Sequence, residues 1–171
     1  MKETQQTRND LAKLFTGRGA EIGVERAAFS VVIAQYCEHL ILVDPWTAYQ
    51  GYREHVSQDK LDRFMDEALK KMEGKNFSVM RQFSLDAAMI TPDESLDFVY
   101  IDANHSYENV RNDIAVWSKK VKKGGIVSGH DYIKRKGQDH IFGVVPAVKE
   151  LNEEITIWRG DKSPSWSYIK Q

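Results

Sequence analysis

Residues 96–107 of the chain read L-D-F-V-Y-I-D-A-N-H-S-Y. A mostly apolar run with aromatic and β-branched residues ends at Asp102, and His105 follows three residues later. An apolar run of this length predicts a strand that is buried on both faces of a parallel sheet. Ligands of open α/β sheets bind beyond the carboxyl ends of such strands, so Asp102 and His105 are expected at a binding edge.

The segment G-G-I-V-S-G-H-D-Y at residues 124–132 repeats this pattern about one βα unit later. If the two strands are neighbours, His130 and Asp131 join the first pair at one edge of the sheet. Oxygen ligands such as Asp102 and Asp131 suit Mg²⁺, and the nitrogen of His130 also admits Mn²⁺, Fe²⁺ or Zn²⁺. The alternative is that one acid caps a helix and the other pairs with a lysine.

His105 offers an imidazole that could act as a general base toward a hydroxyl substrate at neutral pH, although many histidines only pack. Two further groups lie close to these motifs in the sequence. An aromatic group could stack on a ligand and a basic group could attract an anion, but core packing and a solvated loop explain them as well. The two groups are Trp46, Tyr49 and Tyr52, and Lys134, Arg135 and Lys136.

The rest of the chain alternates short apolar runs with amphipathic segments, which is typical of a parallel sheet covered by helices. The pattern predicts helices at residues 26–38, 60–72, 107–121 and 142–151, and strands at residues 20–24, 40–43, 77–80, 96–101, 126–129, 154–158 and 165–169. The last two strands are close enough for a hairpin, so the last strand is expected to be antiparallel. The expected fold is therefore α/β, a Rossmann-like sheet of about seven mostly parallel strands with helices on both faces.

Composition limits the class of protein. A length of 171 residues predicts one domain, residues 1–171, in which residues 1–18 form an N-terminal helix or arm. The formal charge of -1 gives no reason to expect nucleic acid or an anionic membrane as a partner. Cys37 is the only cysteine, so an intrachain disulfide and a cysteine-rich zinc site are excluded. A polar N-terminus and the lack of a long apolar run predict a cytoplasmic protein.

The first motif, G-A-E-I-G-V-E-R at residues 19–26, places Glu21 and Gly23 at the end of the first strand. Glycine lets the backbone approach a ligand, and the N-terminus of the following helix favours an anion such as a carboxylate. The alternative is that Gly23 only permits a tight turn. Gly17, Gly19 and Gly23 do not have the G-x-G-x-x-G spacing of a dinucleotide fingerprint, which disfavours a nicotinamide cofactor.

Two more strand ends carry polar groups. Asp44 ends the apolar run of L-I-L-V-D-P-W at residues 40–46, and an acid at this place typically accepts hydrogen bonds from a ribose diol. The alternative is that Asp44 caps the turn begun by the proline. Ser84 and Leu85 open S-L-D-A after the third strand, where small polar groups could reach an adenine edge or cap a helix.

Four segments together, E-I-G-V, L-V-D-P-W, L-D-F-V-Y-I-D-x-x-H-S-Y-E and G-G-x-x-x-G-H-D-Y, resemble the class I S-adenosylmethionine-dependent methyltransferases. They are similar in particular to the macrocin-type and other small-molecule O-methyltransferases, over residues from about 19 to 151. The resemblance implies that Glu21 and Gly23 lie near the methionine part of the cofactor, with Asp102 beside it. It also implies that Asp44 holds the ribose hydroxyls and that residues 84–87 lie near adenine.

The resemblance further implies that Asp102 and Asp131 bind Mg²⁺ and that His105 is the base. The expected function is S-adenosylmethionine-dependent methylation of an oxygen on a small hydroxyl-bearing molecule such as a sugar or a phenol. A homo-oligomer is one way to complete the acceptor pocket. Two alternatives stay open: a nicotinamide-dependent oxidoreductase on a similar sheet, and a protein that binds S-adenosylmethionine without catalysis.

Overall fold

The computed structural model describes residues 1–49, 56–134 and 143–171. Tyr52, Arg135, Lys136 and the expected helix start at residue 142 lie outside these ranges. The described strands are β1 Lys2–Thr4, β2 Arg18–Ile22, β3 His39–Val43, β4 Phe77–Met80, β5 Leu96–Ile101, β6 Val121–Gly129, β7 Thr156–Trp158 and β8 Ser165–Ile169. The described helices are α1 Arg8–Ala12, α2 Ser30–Ile33, α3 Gln58–Met72, α4 Ser84–Ile90, α5 Tyr107–Lys120 and α6 Val144–Lys149.

All of these strands belong to one sheet with the order β1-β7-β8-β6-β5-β2-β3-β4. Neighbouring strands are parallel except at β8, which runs antiparallel to both β6 and β7. The Rossmann-like α/β fold and the antiparallel last strand are therefore confirmed, but the described sheet has eight strands where about seven were expected. The additional strand is β1, whose sequence K-E-T has no apolar residue and which pairs with β7 in the register Lys2↔Thr156.

Each face of the sheet is covered by its own apolar core, and β5 contributes to both. Val99 and Ile101 pack in the core beneath α5 and α6, whereas Phe98 and Tyr100 pack in the core beneath α1 to α3. This alternation is the period of two of a β-strand, and it explains why β5 is apolar at almost every position. The predicted helices on both faces are confirmed.

Two predicted boundaries are wrong for local reasons. The helix expected at residues 26–38 is reduced to α2, because Glu25 and Ala27 have left-handed backbone with φ of 50° and 55°. The strand expected at residues 126–129 already begins at Val121, since Leu96 pairs with Val121 before a shift in register between β5 and β6. The other predicted strands and helices lie within about four residues of their predicted positions, the usual uncertainty of element boundaries. The helix α4 is additional, because at Ser84 the sequence suggested only a possible helix cap.

The sheet order places one edge of the fold at a topological switch point. From β2 the chain order proceeds to β3 and β4 on one side and to β5 and β6 on the other. The carboxyl ends are in register, with Ile22 beside Val43 and Ile101, and Ile101 beside Gly129. Ligands of doubly wound sheets bind in the crevice that opens at such a point. Among the described helices, none combines the length and the apolar character that crossing a membrane requires.

Candidate functional site

The ends of β5 and β6 bring four titratable side chains into one cluster, which is hereafter the acid–histidine cluster (Asp102, His105, His130 and Asp131). His105 Nε2 lies 3.0 Å from Asp131 Oδ2 and 3.3 Å from Asp102 Oδ1. His130 Nδ1 lies 3.4 Å from Asp102 Oδ2 and 3.7 Å from Asp131 Oδ2. Each histidine therefore lies between the two acids, as the strand-end pattern predicts.

Backbone bonds between neighbouring strand ends hold this cluster in place. The amide of Asp102 donates to the carbonyl of Ile22 at 2.7 Å, and that of His130 donates to the carbonyl of Ile101 at 3.0 Å. Asp131 has left-handed backbone, with φ of 54°, and its side chain is buried. Non-glycine residues rarely adopt this conformation, and such strained residues concentrate at functional sites.

Electrostatics set the protonation of the cluster. Burial alone lowers the pKa of His105 and of His130, but the hydrogen bonds and charges of Asp102 and Asp131 outweigh it and raise each pKa to about 9. Burial raises the pKa of the two carboxyls, and the histidines outweigh that effect, so both pKa values are lowered. At neutral pH the ligand-free cluster therefore contains two imidazolium and two carboxylate groups, whose charges cancel.

The cluster also contains a set of atoms with the spacing of metal ligands. One atom from each of Asp102, His105 and Asp131 lies within 4.8 Å of the other two. His130, which the sequence suggested as third ligand, is outside this set, and His105 takes its place. Two carboxylates and one imidazole fit Mg²⁺, Mn²⁺, Fe²⁺ or Zn²⁺ by their chemistry.

A first cavity of about 310 Å³ opens beside β2 and β3. Apolar side chains form much of its wall, and a smaller number of polar groups line it with them, which is the usual composition of a small-molecule site. The expected residues Gly23, Asp44, Ser84 and Leu85 all line this cavity. The lining also includes Ile22, Val43, Tyr49, Phe83, Asn104, Asn109 and Asp113.

A second cavity of about 340 Å³ adjoins the first and reaches the acid–histidine cluster. Glu21, Asp102 and His105 line it. The two cavities share Gly23, Asp44 and Ala103, so they meet directly above the switch point. One elongated ligand can therefore extend from the first cavity through the second cavity to the acid–histidine cluster.

Asp44 has the turn-capping contacts that its alternative interpretation predicts. Its Oδ2 accepts from the amides of Val24 and Glu25 at 3.0 and 2.9 Å, and its Oδ1 accepts from the amide of Trp46 at 2.8 Å. A carboxylate offers about four acceptor positions, and three are used here. Asp44 thus closes the loop after β2 and still presents an acceptor to both cavities.

The structure shows why position 23 requires glycine, a reason that the sequence did not reveal. Its φ is 88°, and a Cβ at this position would lie 2.1 Å from the carbonyl oxygen of Asp102. The glycine is required because the ends of β2 and β5 approach each other here. The close approach also places Asp102 beside Gly23 in the lining of the second cavity.

Glu21 and Asp113 are buried acids that face the two cavities. Burial raises the pKa of Glu21 to about 8, against the hydrogen bond that Ser30 donates to it. Burial likewise raises the pKa of Asp113 to about 6. Ser84 donates to Asp113 and accepts from the indole of Trp117, a group that can only donate. Because the Trp117 indole must donate to Ser84, the Ser84 hydroxyl donates to Asp113, and Asp113 is an acceptor in the wall of the first cavity.

Asp113 and Arg8 are two of the lining residues that sequence reasoning missed. A signal for Asp113 existed, since it interrupts the buried face that Val110, Ile114 and Trp117 form on α5. Arg8 gave no local signal. It lines the second cavity only because β1 and α1 are carried across the sheet, a long-range pairing that apolar spacing does not report.

The switch point, the acid after β3 and the polar ends of β5 and β6 define the arrangement of a class I methyltransferase. Residues 20–132 match the model of a family described as a methyltransferase domain, and the chain belongs to that family.

One relative is similar to the chain in sequence. The chain is 31% identical over 124 residues to uncharacterized protein R132 of Acanthamoeba polyphaga mimivirus. The matched region covers 69% of the chain and 50% of that protein. The chain thus matches only half the length of this relative.

Solved structures share the fold at low identity. The O-methyltransferase from Bacillus cereus in complex with SAH has 13% identity and a TM-score of 0.67, covering 95% of this chain and 80% of that one. The O-methyltransferase TomG from Streptomyces achromogenes, in complex with SAM, has 15% identity and a TM-score of 0.68, covering 95% and 78%. The N-methyltransferase NodS from Bradyrhizobium japonicum WM9 has 16% identity and a TM-score of 0.64, covering 95% and 92%. The fold thus accommodates acceptors of both kinds.

Proposed function

We propose that this chain transfers a methyl group from S-adenosylmethionine to an oxygen of a small hydroxyl-bearing molecule. The observation that carries the proposal is the opening of the acid–histidine cluster into the second cavity, beside Gly23 and Ala103. A hydroxyl must lose its proton during methyl transfer, and the cluster supplies groups that can take it. Sugars and phenols are both acceptors of this type.

The two cavities fit the two parts of S-adenosylmethionine. Adenosine would occupy the first cavity, where Asp44 accepts from the ribose diol and Ser84 and Leu85 lie along the base. The methionine part would occupy the second cavity beside Glu21. The sulfonium supplies an electrophilic methyl group with a good leaving group, and its place at the junction is next to Asp102. Alignment of the acceptor with this methyl group is the main task of the site.

His105 is the proposed base, and its protonation determines when it can act. With a pKa raised to about 9, the imidazole is mostly protonated at neutral pH and cannot accept a proton. The basic form grows as the pH rises toward 9. Without a metal, the rate of transfer to an oxygen is therefore expected to rise by up to about tenfold per pH unit between pH 7 and pH 9.

A divalent ion is the second arrangement that the same residues support. Asp102, Asp131 and His105 would hold it, and the ion would lower the pKa of a bound hydroxyl. His105 is then a metal ligand in its neutral form. The proton that its imidazolium carries in the ligand-free cluster is released when the ion binds. Activity in EDTA and activity in Mg²⁺ or Mn²⁺, each measured from pH 6.5 to pH 9.5, distinguish the two arrangements. A profile that is the same in both buffers excludes the metal.

The first experiment is a calorimetric titration with S-adenosylmethionine, S-adenosylhomocysteine and NAD. If the protein bound NAD but neither S-adenosylmethionine nor S-adenosylhomocysteine, the result would favour an oxidoreductase instead. The second is a screen of sugars, phenols and amines with a radiolabelled methyl donor. Label on amines alone would contradict an oxygen acceptor, and tight binding without transfer to any acceptor would indicate a protein that only binds the cofactor.

Histidine variants then test the base. His105→Ala is expected to lower the rate by about 10²–10⁴-fold, the usual effect of removing a general base. His39→Ala is the matched control, because His39 begins β3, at the end of the strand away from the cluster, and its imidazole bonds to Asn76 and Ser78. An unchanged rate for His105→Ala would show that this assignment is wrong.

A further inference from the structure

Four carboxyl groups line the second cavity, and they suit only part of a methionine group. Glu21, Glu25, Asp44 and Asp102 line it. An ammonium and a sulfonium are well placed among acids, but the carboxylate of the same amino acid requires a cation. The question is which basic side chain of this cavity can provide it.

His105 lines the cavity as an imidazolium, but it already pairs with Asp102 and Asp131. Three lysine or arginine side chains also line the cavity, and two of them are engaged elsewhere. Lys71 Nζ donates to the carbonyl of Arg26 at 2.8 Å. The Arg26 guanidinium lies over the ring of Phe64, with its carbon 3.9 Å from the ring centroid, and its Nε is 3.6 Å from Glu67 Oε2. These contacts hold both side chains against α3, at the rim of the cavity.

Arg8 is the third cation, and its side chain is oriented toward the cavity. Its guanidinium carbon lies 4.7 Å from the ring centroid of Phe29, which also lines the cavity. Across residues 1–49, 56–134 and 143–171, no carboxylate lies within ion-pair distance of this guanidinium. A stacked guanidinium keeps the donors on its planar edge, and their fork matches the two oxygens of a carboxylate.

The backbone around Arg8 is fixed on both sides. Thr7 caps α1 in a capping box with Asp10, and the amide of Arg8 donates to Asp161 Oδ2 at 2.7 Å. Leu11 is fully buried in the core beneath the sheet. Arg8 is therefore presented from a rigid helix and not from a loose terminus, which reduces the entropy that binding must overcome.

We propose that Arg8 binds the carboxylate of the methionine part of S-adenosylmethionine, an assignment that rests on the proposed function. It replaces the helix N-terminus that the sequence suggested for this role. The helix after Gly23 is only four residues long, and its N-cap Phe29 makes no side-chain capping bond. Arg8 also precedes the family match at residues 20–132, so the family does not assign it.

The test compares two ligands that differ only in the carboxylate, S-adenosylhomocysteine and its decarboxylated analogue S-adenosyl-3-thiopropylamine. Calorimetry on the parent protein is expected to show a clear preference for S-adenosylhomocysteine. In Arg8→Ala the affinity for S-adenosylhomocysteine is expected to fall by about 10–100-fold, the loss of a charge-assisted hydrogen bond, whereas the analogue binds as before. Arg8→Lys is expected to restore part of the preference, because it keeps the charge but not the fork.

Lys13→Ala is the matched control, since it removes one positive charge from the same segment at a side chain outside both cavities. It should leave the preference intact. If Arg8→Ala does not fold, Arg8→Gln keeps most of the side-chain length without the charge and permits the same comparison. If Arg8→Ala weakened the binding of both ligands equally, or kept the full preference for S-adenosylhomocysteine, the assignment of Arg8 would be wrong. The proposed function would not be affected by that result. A parent protein that binds neither ligand would overturn the proposed function and this assignment together.

Discussion

At the scale of single residues, Glu21 is expected to couple the proposed cofactor site to pH. Its pKa is raised to about 8 in the folded protein, so the acid is mostly neutral at pH 7. A carboxyl with a raised pKa stabilises the fold fully below its ordinary pKa, and this contribution is lost as the pH rises through about 8. An ammonium group placed beside Glu21 would reverse the preference and favour the carboxylate.

Binding of S-adenosylhomocysteine at pH 7 is therefore expected to release close to one proton. Calorimetry in two buffers with different ionisation enthalpies measures the number released. At pH 9.5, where Glu21 is already ionised, the release should disappear. Glu21→Gln is the matched variant, and it should bind with the same enthalpy in both buffers. Buffer-independent enthalpies in the parent protein would show that Glu21 does not meet the ammonium.

The residues of the acid–histidine cluster could be predicted because each follows a buried apolar strand, and strand ends on neighbouring parallel strands meet. Their spatial meeting is what the structure shows. Asp113 and Arg8 could not be placed in the same way. One lies inside a helix and the other near the start of the chain, and their cavity positions depend on how distant elements pack.

At the scale of elements, strands were easier to predict than the loop after β2. Strands such as β5 are buried on both faces, so almost every position must be apolar, and this apolar run is visible in the sequence. Left-handed backbone at Glu25 and Ala27 leaves no signature in apolar spacing, and neither residue type favours it. The polar strand β1 exists only through its pairing with β7, so its own sequence does not predict it.

Gly23→Ala tests the loop after β2. The variant must adopt a φ of 88° and bring a methyl group against the backbone of Asp102. We expect the free energy of unfolding to fall by at least about 2 kcal/mol and cofactor binding to weaken with it. Urea unfolding followed by tryptophan fluorescence gives the first value and calorimetry the second.

Ala27→Gly is the control in the same loop. Relief of left-handed strain at Ala27 offsets the lost methyl packing and the greater freedom of the unfolded chain, so the stability should change little. A Gly23→Ala protein as stable as the parent would mean that the ends of β2 and β5 are not as close as described.

At the scale of the whole molecule, the site depends on the edge of the described sheet where β1 pairs with β7. Three backbone bonds tie residues 2–6 to the far end of the chain: Lys2 to Ile155, Arg159 to Thr4 and Gly160 to Gln6. They place α1, and with it Arg8, against the second cavity. Deleting residues 2–6 removes these three bonds, of about 0.5–1.5 kcal/mol each, and also the ladder of β1 with β7, so the free energy of unfolding is expected to fall by at least about 2–4 kcal/mol.

The same deletion should weaken S-adenosylhomocysteine binding, because Arg8 loses its support. Urea unfolding and calorimetry on the deleted and parent proteins provide the comparison. Glu3→Ala is the matched control. It removes only the exposed ion pair with Arg159 and keeps every backbone bond, so neither measurement should change appreciably. Full affinity in the deleted protein would contradict a supporting role for β1.

The pairing of Lys2 with Thr156 also has a consequence for synthesis on the ribosome. The first strand to emerge must wait for one of the last, and at about 5–20 residues per second that delay lasts many seconds. During this interval β2 to β6 can assemble while the N-terminal segment remains undocked. Because β7 joins the rest of the sheet only through β8, a nascent chain is expected to bind S-adenosylmethionine weakly until β8 has emerged, so that tight binding reports that synthesis has passed the last described strand.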